Sequence, residues 1–97
     1  MDNLWQTIKQ LSQQEPKTLE QQAIKLSEEV GEAAEALLSM EGVSGDGYKQ
    51  LSVADTKEEY VDVLLVTFAL LEKLGTTDAE LADLLQRKLA KWQDKQV

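Results

Sequence analysis

Apolar residues recur at steps of three and four along most of the chain, which is the period of an amphipathic helix. No segment alternates apolar and polar residues at the two-residue period of a strand. The pattern therefore predicts an all-α chain of four helices. Their predicted spans are residues 3–14, 19–41, 56–74 and 78–95.

The helix boundaries follow from capping residues. Pro16 ends the first helix, because proline disfavours the helical conformation of the residue before it. Gly75 is suited to end the third helix, since glycine readily adopts the left-handed conformation found after a helix. The second, third and fourth helices each begin at a capping-box pattern. The three pairs are Thr18/Gln21, Asp55/Glu58 and Thr77/Glu80.

The connections define the predicted architecture. All are short except one, which contains the glycine-rich segment 42–47 and which we expect to be a flexible connector. Short connections favour antiparallel neighbours, so we predict a single domain over residues 1–97, built as a four-helix antiparallel bundle. The third helix is apolar on nearly all sides. One small bundle of short helices cannot cover all of that apolar surface. We therefore expect a homodimer or a dimer of dimers, with the second and third helices packing across the interface.

Composition and charge narrow the partners. The chain carries 18 acidic and 10 basic residues and a net charge of −8, so it lacks the basic excess that duplex nucleic acid would require. The first ten residues have no basic segment followed by an apolar core, which argues against a secretory signal. The longest apolar run is too short to cross a membrane. The simplest prediction is a cytoplasmic protein with no membrane partner.

The absence of two residue types limits the possible chemistry. The sequence contains no cysteine and no histidine, which excludes disulfides, thiolate metal sites and imidazole catalysis. Di-iron carboxylate bundles are excluded too, because they need a Glu-x-x-His motif. Any metal ion must be bound by oxygen, which favours a hard cation such as Mg²⁺, with Mn²⁺ as the alternative.

Two acidic pairs provide such oxygen ligands. Asp62 interrupts the apolar run 60–71, where an ionised carboxylate is costly unless something compensates it. Glu59 lies three residues earlier on the same helix face, and Glu29 and Glu32 have the same spacing on the preceding helix. If the two helices pack antiparallel, both pairs meet and would repel each other without a cation between them. A single Glu-x-x-Glu is more often a solvated face, so the combination of both pairs carries the prediction.

These two segments resemble a known superfamily. The sequences KLSEEVGEAAE at 25–35 and EEYVDVL at 58–64 are similar to the MazG-type all-α nucleoside triphosphate pyrophosphohydrolases, whose relatives include dimeric dUTPases and phosphoribosyl-ATP pyrophosphohydrolases. Their shared mark is Glu-x-x-Glu followed, after a variable loop, by Glu-x-x-Asp. Here the four metal-ligand candidates are Glu29, Glu32, Glu59 and Asp62.

The resemblance covers residues 19–74 and implies a reaction. It implies Mg²⁺-dependent cleavage of a nucleoside triphosphate between the α- and β-phosphates, which releases a nucleoside monophosphate and pyrophosphate. Such an activity would serve to clean the nucleotide pool. A carboxylate beside the ion would orient or deprotonate the attacking water. Glu28 and Glu29 are both candidates for this base, although Glu28 is slightly better explained as a solvated helix residue.

Other residues are candidates for binding the nucleotide. Lys88, in the apolar seam of the fourth helix, and Lys91 beside it are candidate phosphate ligands, and members of the superfamily often carry basic residues on this helix. A lysine in a seam can also simply extend its ammonium group outward to water. Trp5 is a candidate for stacking on the base, but an aromatic residue at helical spacing is more often part of the core.

Two alternatives to the leading prediction remain. The same chemistry could act on phosphoribosyl-ATP or dUTP, which a substrate panel would distinguish. The chain could instead be a non-catalytic acidic helical dimerisation or interaction module that binds a basic partner. That alternative predicts no thermal stabilisation by Mg²⁺ or nucleotide, whereas the enzyme predicts stabilisation by both.

Overall fold

The computed structural model of the 97-residue chain describes residues 2–42 and 52–96. Within these two ranges it contains four α-helices and no strand, which confirms the all-α prediction. Most of the glycine-rich segment 42–47 lies outside the described residues, so its predicted role as a connector is not addressed. The helices are α1 (Asp2–Gln13), α2 (Leu19–Met40), α3 (Val53–Lys73) and α4 (Asp78–Lys95).

Two of the three predicted N-caps are confirmed. The Thr18 hydroxyl accepts a hydrogen bond from the Gln21 backbone N–H at 3.1 Å, and the Gln21 side chain accepts one from the Thr18 N–H at 2.9 Å. This is the full capping box at the start of α2. At the start of α4 the Thr77 hydroxyl accepts from the Glu80 N–H at 3.1 Å.

The predicted start of α3 is wrong by one turn. Ser52, not Asp55, is the N-cap: its hydroxyl accepts from the Asp55 N–H at 3.1 Å, and the Asp55 carboxylate accepts from the Ser52 N–H at 2.9 Å. These hydrogen bonds from Ser52 lower the pKa of Asp55. Asp55 therefore acts as the third residue of an earlier capping box, because a Ser-x-x-Asp pattern overlaps the Asp-x-x-Glu pattern.

The predicted end of α3 is confirmed. Gly75 follows the helix in the left-handed conformation, with φ of 82°. The Gly75 N–H donates to the Glu72 carbonyl at 2.9 Å, and the Thr76 N–H donates to the Leu71 carbonyl at 3.1 Å. This paired arrangement satisfies two of the carbonyls that the helix end would otherwise leave without partners.

The helices α2 and α3 pack antiparallel and form the centre of the fold. Ala33 and Ala36 on α2 are fully buried, and their small side chains allow close packing of a neighbouring helix. The Thr56 hydroxyl of α3 lies 3.4 Å from the Ala36 carbonyl. Glu29, two turns before Ala36, lies near Asp62, which is two turns after Thr56. This antiparallel register is what brings the two acidic pairs to the same level.

The helix α1 also packs against α3. The ring of Trp5 meets that of Phe68 edge to face, with centroids 5.2 Å apart. Further along, the Gln13 side-chain amide donates to Glu72 at 2.9 Å. The Lys73 ammonium donates to the Glu15 carbonyl at 3.2 Å. These contacts all involve the C-terminal half of α3.

The helix α4 extends away from the other three. Its first residue, Asp78, pairs with Lys9 of α1 at 3.1 Å. Among the described residues, however, no Cα atom of α4 lies within 8 Å of a Cα atom of α1–α3, and none of its side chains is buried. The radius of gyration is 16.0 Å, against about 12.5 Å for a compact domain of this length. Within one chain, α1–α3 form the packed unit.

The lengths and hydropathies of the helices bear on membrane association. In the described parts of the chain, no helix combines the length and the apolar character needed to span a bilayer.

Candidate metal site

Three carboxylates from two helices meet in one cluster. Glu59 and Asp62 share a face of α3, and the antiparallel packing places Glu29 of α2 opposite them. One carboxylate oxygen of each residue lies within 4.8 Å of the other two. Oxygens that share a Mg²⁺ ion each lie about 2.0–2.1 Å from it, so small side-chain rotations would bring all three into coordination distance. The acidic cluster, Glu29, Glu59 and Asp62, could hold a metal ion.

The environment of Glu29 fits a cation. Glu29 is only 7% exposed. Its Oε1 atom is paired with the Lys25 ammonium at 3.0 Å, whereas its Oε2 atom is shielded from water and has no hydrogen-bond partner. A buried carboxylate oxygen without a partner is rare and unfavourable. A hard cation between α2 and α3 would coordinate this oxygen. Carboxylates are the ligands that Mg²⁺ and Mn²⁺ prefer.

The charges of the cluster act on Glu59. Partial burial raises the pKa of Glu59, and the neighbouring charges of Asp62, Glu32, Glu29 and Glu58 raise it further. Without a cation, this carboxyl group therefore retains a proton more readily than a free glutamate. The pKa of Lys25 is raised as well, mainly by its hydrogen bond with Glu29 and then by the negative charge of that residue.

The other two acidic candidates lie at the edge of the cluster. Glu32 is exposed and is not among the three clustered carboxylates, although its charge contributes to the raised pKa of Glu59. Glu28 is also exposed, and its charge acts on Lys25. The predicted roles of Glu32 as a ligand and of Glu28 or Glu29 as a base stay predictions.

The candidate nucleotide ligands lie on α1 and α4. Lys88 and Lys91 are exposed on α4, and within the described residues no ion pair joins either of them to the acidic cluster. Trp5 is half-buried against Phe68, in the position of a core residue. In the described ranges, no Cα atom of α4 lies within 8 Å of a Cα atom of α2 or α3. The contacts of Lys88, Lys91 and Trp5 with a nucleotide stay predictions.

The sequence analysis missed two residues of α2 that precede Glu29. Lys25 precedes Glu29 by four residues, the spacing of a helical ion pair, so this contact could have been found from the sequence. Gln22 precedes Glu29 by seven residues and is 2% exposed. Its side-chain nitrogen, like Glu29 Oε2, is buried without a partner. A glutamine at an unremarkable helix position gives no sequence signal for such burial.

Comparison with known proteins adds no assignment to this geometry. No protein-family model, no curated protein and no solved structure matches the chain. What the fold and the site define is therefore a class: an all-α protein with three carboxylates between two antiparallel helices that could hold a metal ion.

Proposed function

We propose that the chain is a Mg²⁺-dependent nucleoside triphosphate pyrophosphohydrolase that converts a (d)NTP and water into a (d)NMP and pyrophosphate, and that it cleans the nucleotide pool. The observation that carries the proposal is the acidic cluster, in which Glu29 combines deep burial with an unpaired oxygen. Both features support a cation site at this cluster. The similarity of both acidic segments to the MazG-type superfamily supplies the reaction.

The proposed ligands are Glu29, Glu59 and Asp62, with Glu32 next to them on α2. Mg²⁺, or Mn²⁺ in its place, would offset the charge of the triphosphate and lower the pKa of a coordinated water. The carboxylate of Glu28 or Glu29 would accept the proton of the attacking water. A bond would then form between the oxygen of this water and the α-phosphorus, the bond from that phosphorus to the bridging oxygen would break, and pyrophosphate would leave.

The direct test is a substrate panel. The protein is incubated with MgCl₂ and each of the canonical deoxynucleoside and ribonucleoside triphosphates, dUTP and phosphoribosyl-ATP, and the products are separated by chromatography. We expect monophosphate and pyrophosphate in equal amounts, and no turnover in EDTA. Release of orthophosphate, or no turnover of any substrate, would contradict the proposal. The latter result together with binding of a basic partner would favour the non-catalytic interaction module.

We propose that the functional unit is a homodimer or a dimer of dimers. The apolar side of α4 is open, with Leu85, Leu89 and Trp92 all at least 50% exposed, and Val61 and Leu64 of α3 are similarly exposed. A second copy would cover these surfaces by packing through α2 and α3, and it would bring its own Lys88 and Lys91 towards the acidic cluster of the first. Apolar burial of this kind is the main driving force of association.

Association can be tested with one substitution on α4 and a matched control. Leu89→Glu introduces a charge on the open apolar side, whereas Ala90→Glu introduces the same charge on an exposed residue of the other side. We expect sedimentation velocity at micromolar concentration to show a dimer or tetramer for the wild type and Ala90→Glu, and a monomer for Leu89→Glu. A wild-type monomer at this concentration would contradict the proposed assembly.

A further inference from the structure

The ion pair between Lys25 and Glu29 on α2 differs from an ordinary helical ion pair. The Lys25 ammonium lies 3.0 Å from Glu29 Oε1, and the Glu29 side chain is only 9% exposed. A second pair at the same spacing, Arg87 with Asp83 on α4, has side chains that are 66% and 59% exposed. Lysine before glutamate is also the less favourable order for stabilising a helix. The burial of the carboxylate therefore explains the Lys25 pair better than the stability of α2 does.

The two oxygens of the Glu29 carboxylate have different environments. Oε1 is paired with the Lys25 ammonium, whereas Oε2 is buried and has no hydrogen-bond partner. Carboxylates that bind metal ions are commonly held by a hydrogen bond from a residue that does not itself touch the ion, and this contact fixes their orientation. Lys25 is in the position to do this, because it holds one oxygen of Glu29 and leaves the other for an ion shared with Glu59 and Asp62.

The charge of Lys25 fits a site for one divalent cation. The three carboxylates of the acidic cluster carry three negative charges when ionised, and one divalent cation neutralises two of them. The Lys25 ammonium, in contact with Glu29, matches the third. Although an ammonium group repels a metal ion, the cluster and Lys25 together still carry two negative charges. The net interaction with a divalent cation therefore remains attractive.

A lysine beside a metal ligand could instead compete with the ion for the same place. The position of Lys25 argues against such competition. Its side chain is 39% exposed, and in the described part of the chain no ion pair joins it to Glu59 or Asp62. The ammonium thus lies at the edge of the acidic cluster and contacts the Glu29 oxygen that the ion does not need.

We propose that Lys25 is a positioning residue of the metal site, which holds Glu29 Oε1 so that Oε2 is presented to the ion. This inference rests on the metal site of the proposed function and deepens it. The two possible roles of Lys25 predict opposite effects when its ammonium is removed. Loss of a positioning residue weakens metal binding, whereas loss of a competing cation strengthens it.

The test measures the Kd of Mn²⁺ for the 97-residue chain without nucleotide, from the electron paramagnetic resonance signal of the free ion. Mn²⁺ is the probe because it takes the same oxygen ligands as Mg²⁺. Lys25→Met keeps the apolar stem and removes the ammonium, and we expect it to raise the Kd by about tenfold or more. Lys25→Arg keeps a charged donor and should stay within about threefold of the wild type. Lys17→Met is the matched control: it removes the same charge from an ion pair with Glu15, outside the cluster, and should bind as the wild type does.

A melting curve in EDTA separates positioning from a purely structural role. A structural ion pair would lower the Tm of Lys25→Met and leave the Kd of the folded protein unchanged, which would overturn the inference. Should Lys25→Met fail to fold, Lys25→Gln keeps a hydrogen-bond donor without the charge, and its Kd should also lie above that of the wild type.

The remaining outcomes separate this inference from the proposed function. If the wild type binds Mn²⁺ and the loss of the ammonium leaves the Kd unchanged or lowers it, Lys25 does not position Glu29, while the metal site stands. If the wild type does not bind Mn²⁺, the metal site of the proposed function is overturned together with this inference.

Discussion

Replacing Asp62 with Asn is expected to reduce Mg²⁺-dependent turnover by at least about a hundredfold, because the substitution removes one of three charged ligands from the acidic cluster. Asn keeps the size of the side chain and an oxygen but loses the charge that balances the cation. Asp62 is exposed, so its replacement should change the free energy of unfolding by no more than about 0.5 kcal/mol. Steady-state kinetics and a chemical denaturation curve for the same preparation separate the two effects.

Glu58→Gln is the matched control for this loss. Glu58 lies next to Glu59 on α3 and is exposed, but it is not one of the clustered carboxylates. Its replacement removes the same charge from the same helix. Because Glu58 acts on the metal site only through its charge and from outside the cluster, turnover should fall by less than about threefold. If Asp62→Asn keeps the wild-type rate, or if both variants lose activity equally, the cluster is not the metal site of a hydrolase.

Capping patterns formed by residues close together in the sequence predicted several of the helix boundaries. Thr18 and Gln21 cap α2, and Gly75 ends α3, because these patterns depend on residues that are neighbours in sequence. The start of α3 was wrong because two capping patterns overlap there, and sequence alone does not rank Ser52 against Asp55. The position of α4 could not be predicted either. Its apolar stripe indicates that it packs against something, but not that this surface lies outside its own α1–α3 unit.

In the site, too, features set within one helix could be predicted, whereas features set by the packing of several helices could not. Spacing on one helix placed Glu59 and Asp62 on one face, and the assumption of antiparallel packing brought Glu29 to them. Glu32 has the same spacing from Glu29, yet it lies at the edge of the cluster, because the rotation of α2 about its own axis decides which acidic residue faces α3. The burial of Gln22 depends on α1 and α3 together, so no pattern within α2 could reveal it.

Saturating Mg²⁺ is expected to raise the Tm of the wild type strongly, since the ion binds only where the folded chain brings Glu29, Glu59 and Asp62 together. A ligand at a hundredfold excess over its Kd stabilises a protein by about 2.7 kcal/mol. For a domain of this size that corresponds to a rise in Tm of roughly 10–20 °C. Differential scanning fluorimetry with MgCl₂, and with KCl at the same ionic strength, distinguishes specific binding from general screening.

Without metal, Glu59 should make the protein less stable as the pH rises. The pKa of Glu59 is raised above its ordinary value, so the folded state binds this proton more tightly than the unfolded state. The resulting stabilisation is complete below the ordinary pKa and is lost as the pH rises through the raised one. In EDTA at pH 7, Glu59→Gln should therefore melt a few degrees above the wild type, and the melting temperatures of the two proteins should converge at acidic pH.

The Glu59→Gln variant should also lose most of the stabilisation by Mg²⁺. A variant that melts below the wild type in EDTA at pH 7 would show that Glu59 carries no repulsion within the cluster. A variant that responds fully to Mg²⁺ would show that Glu59 does not bind the ion.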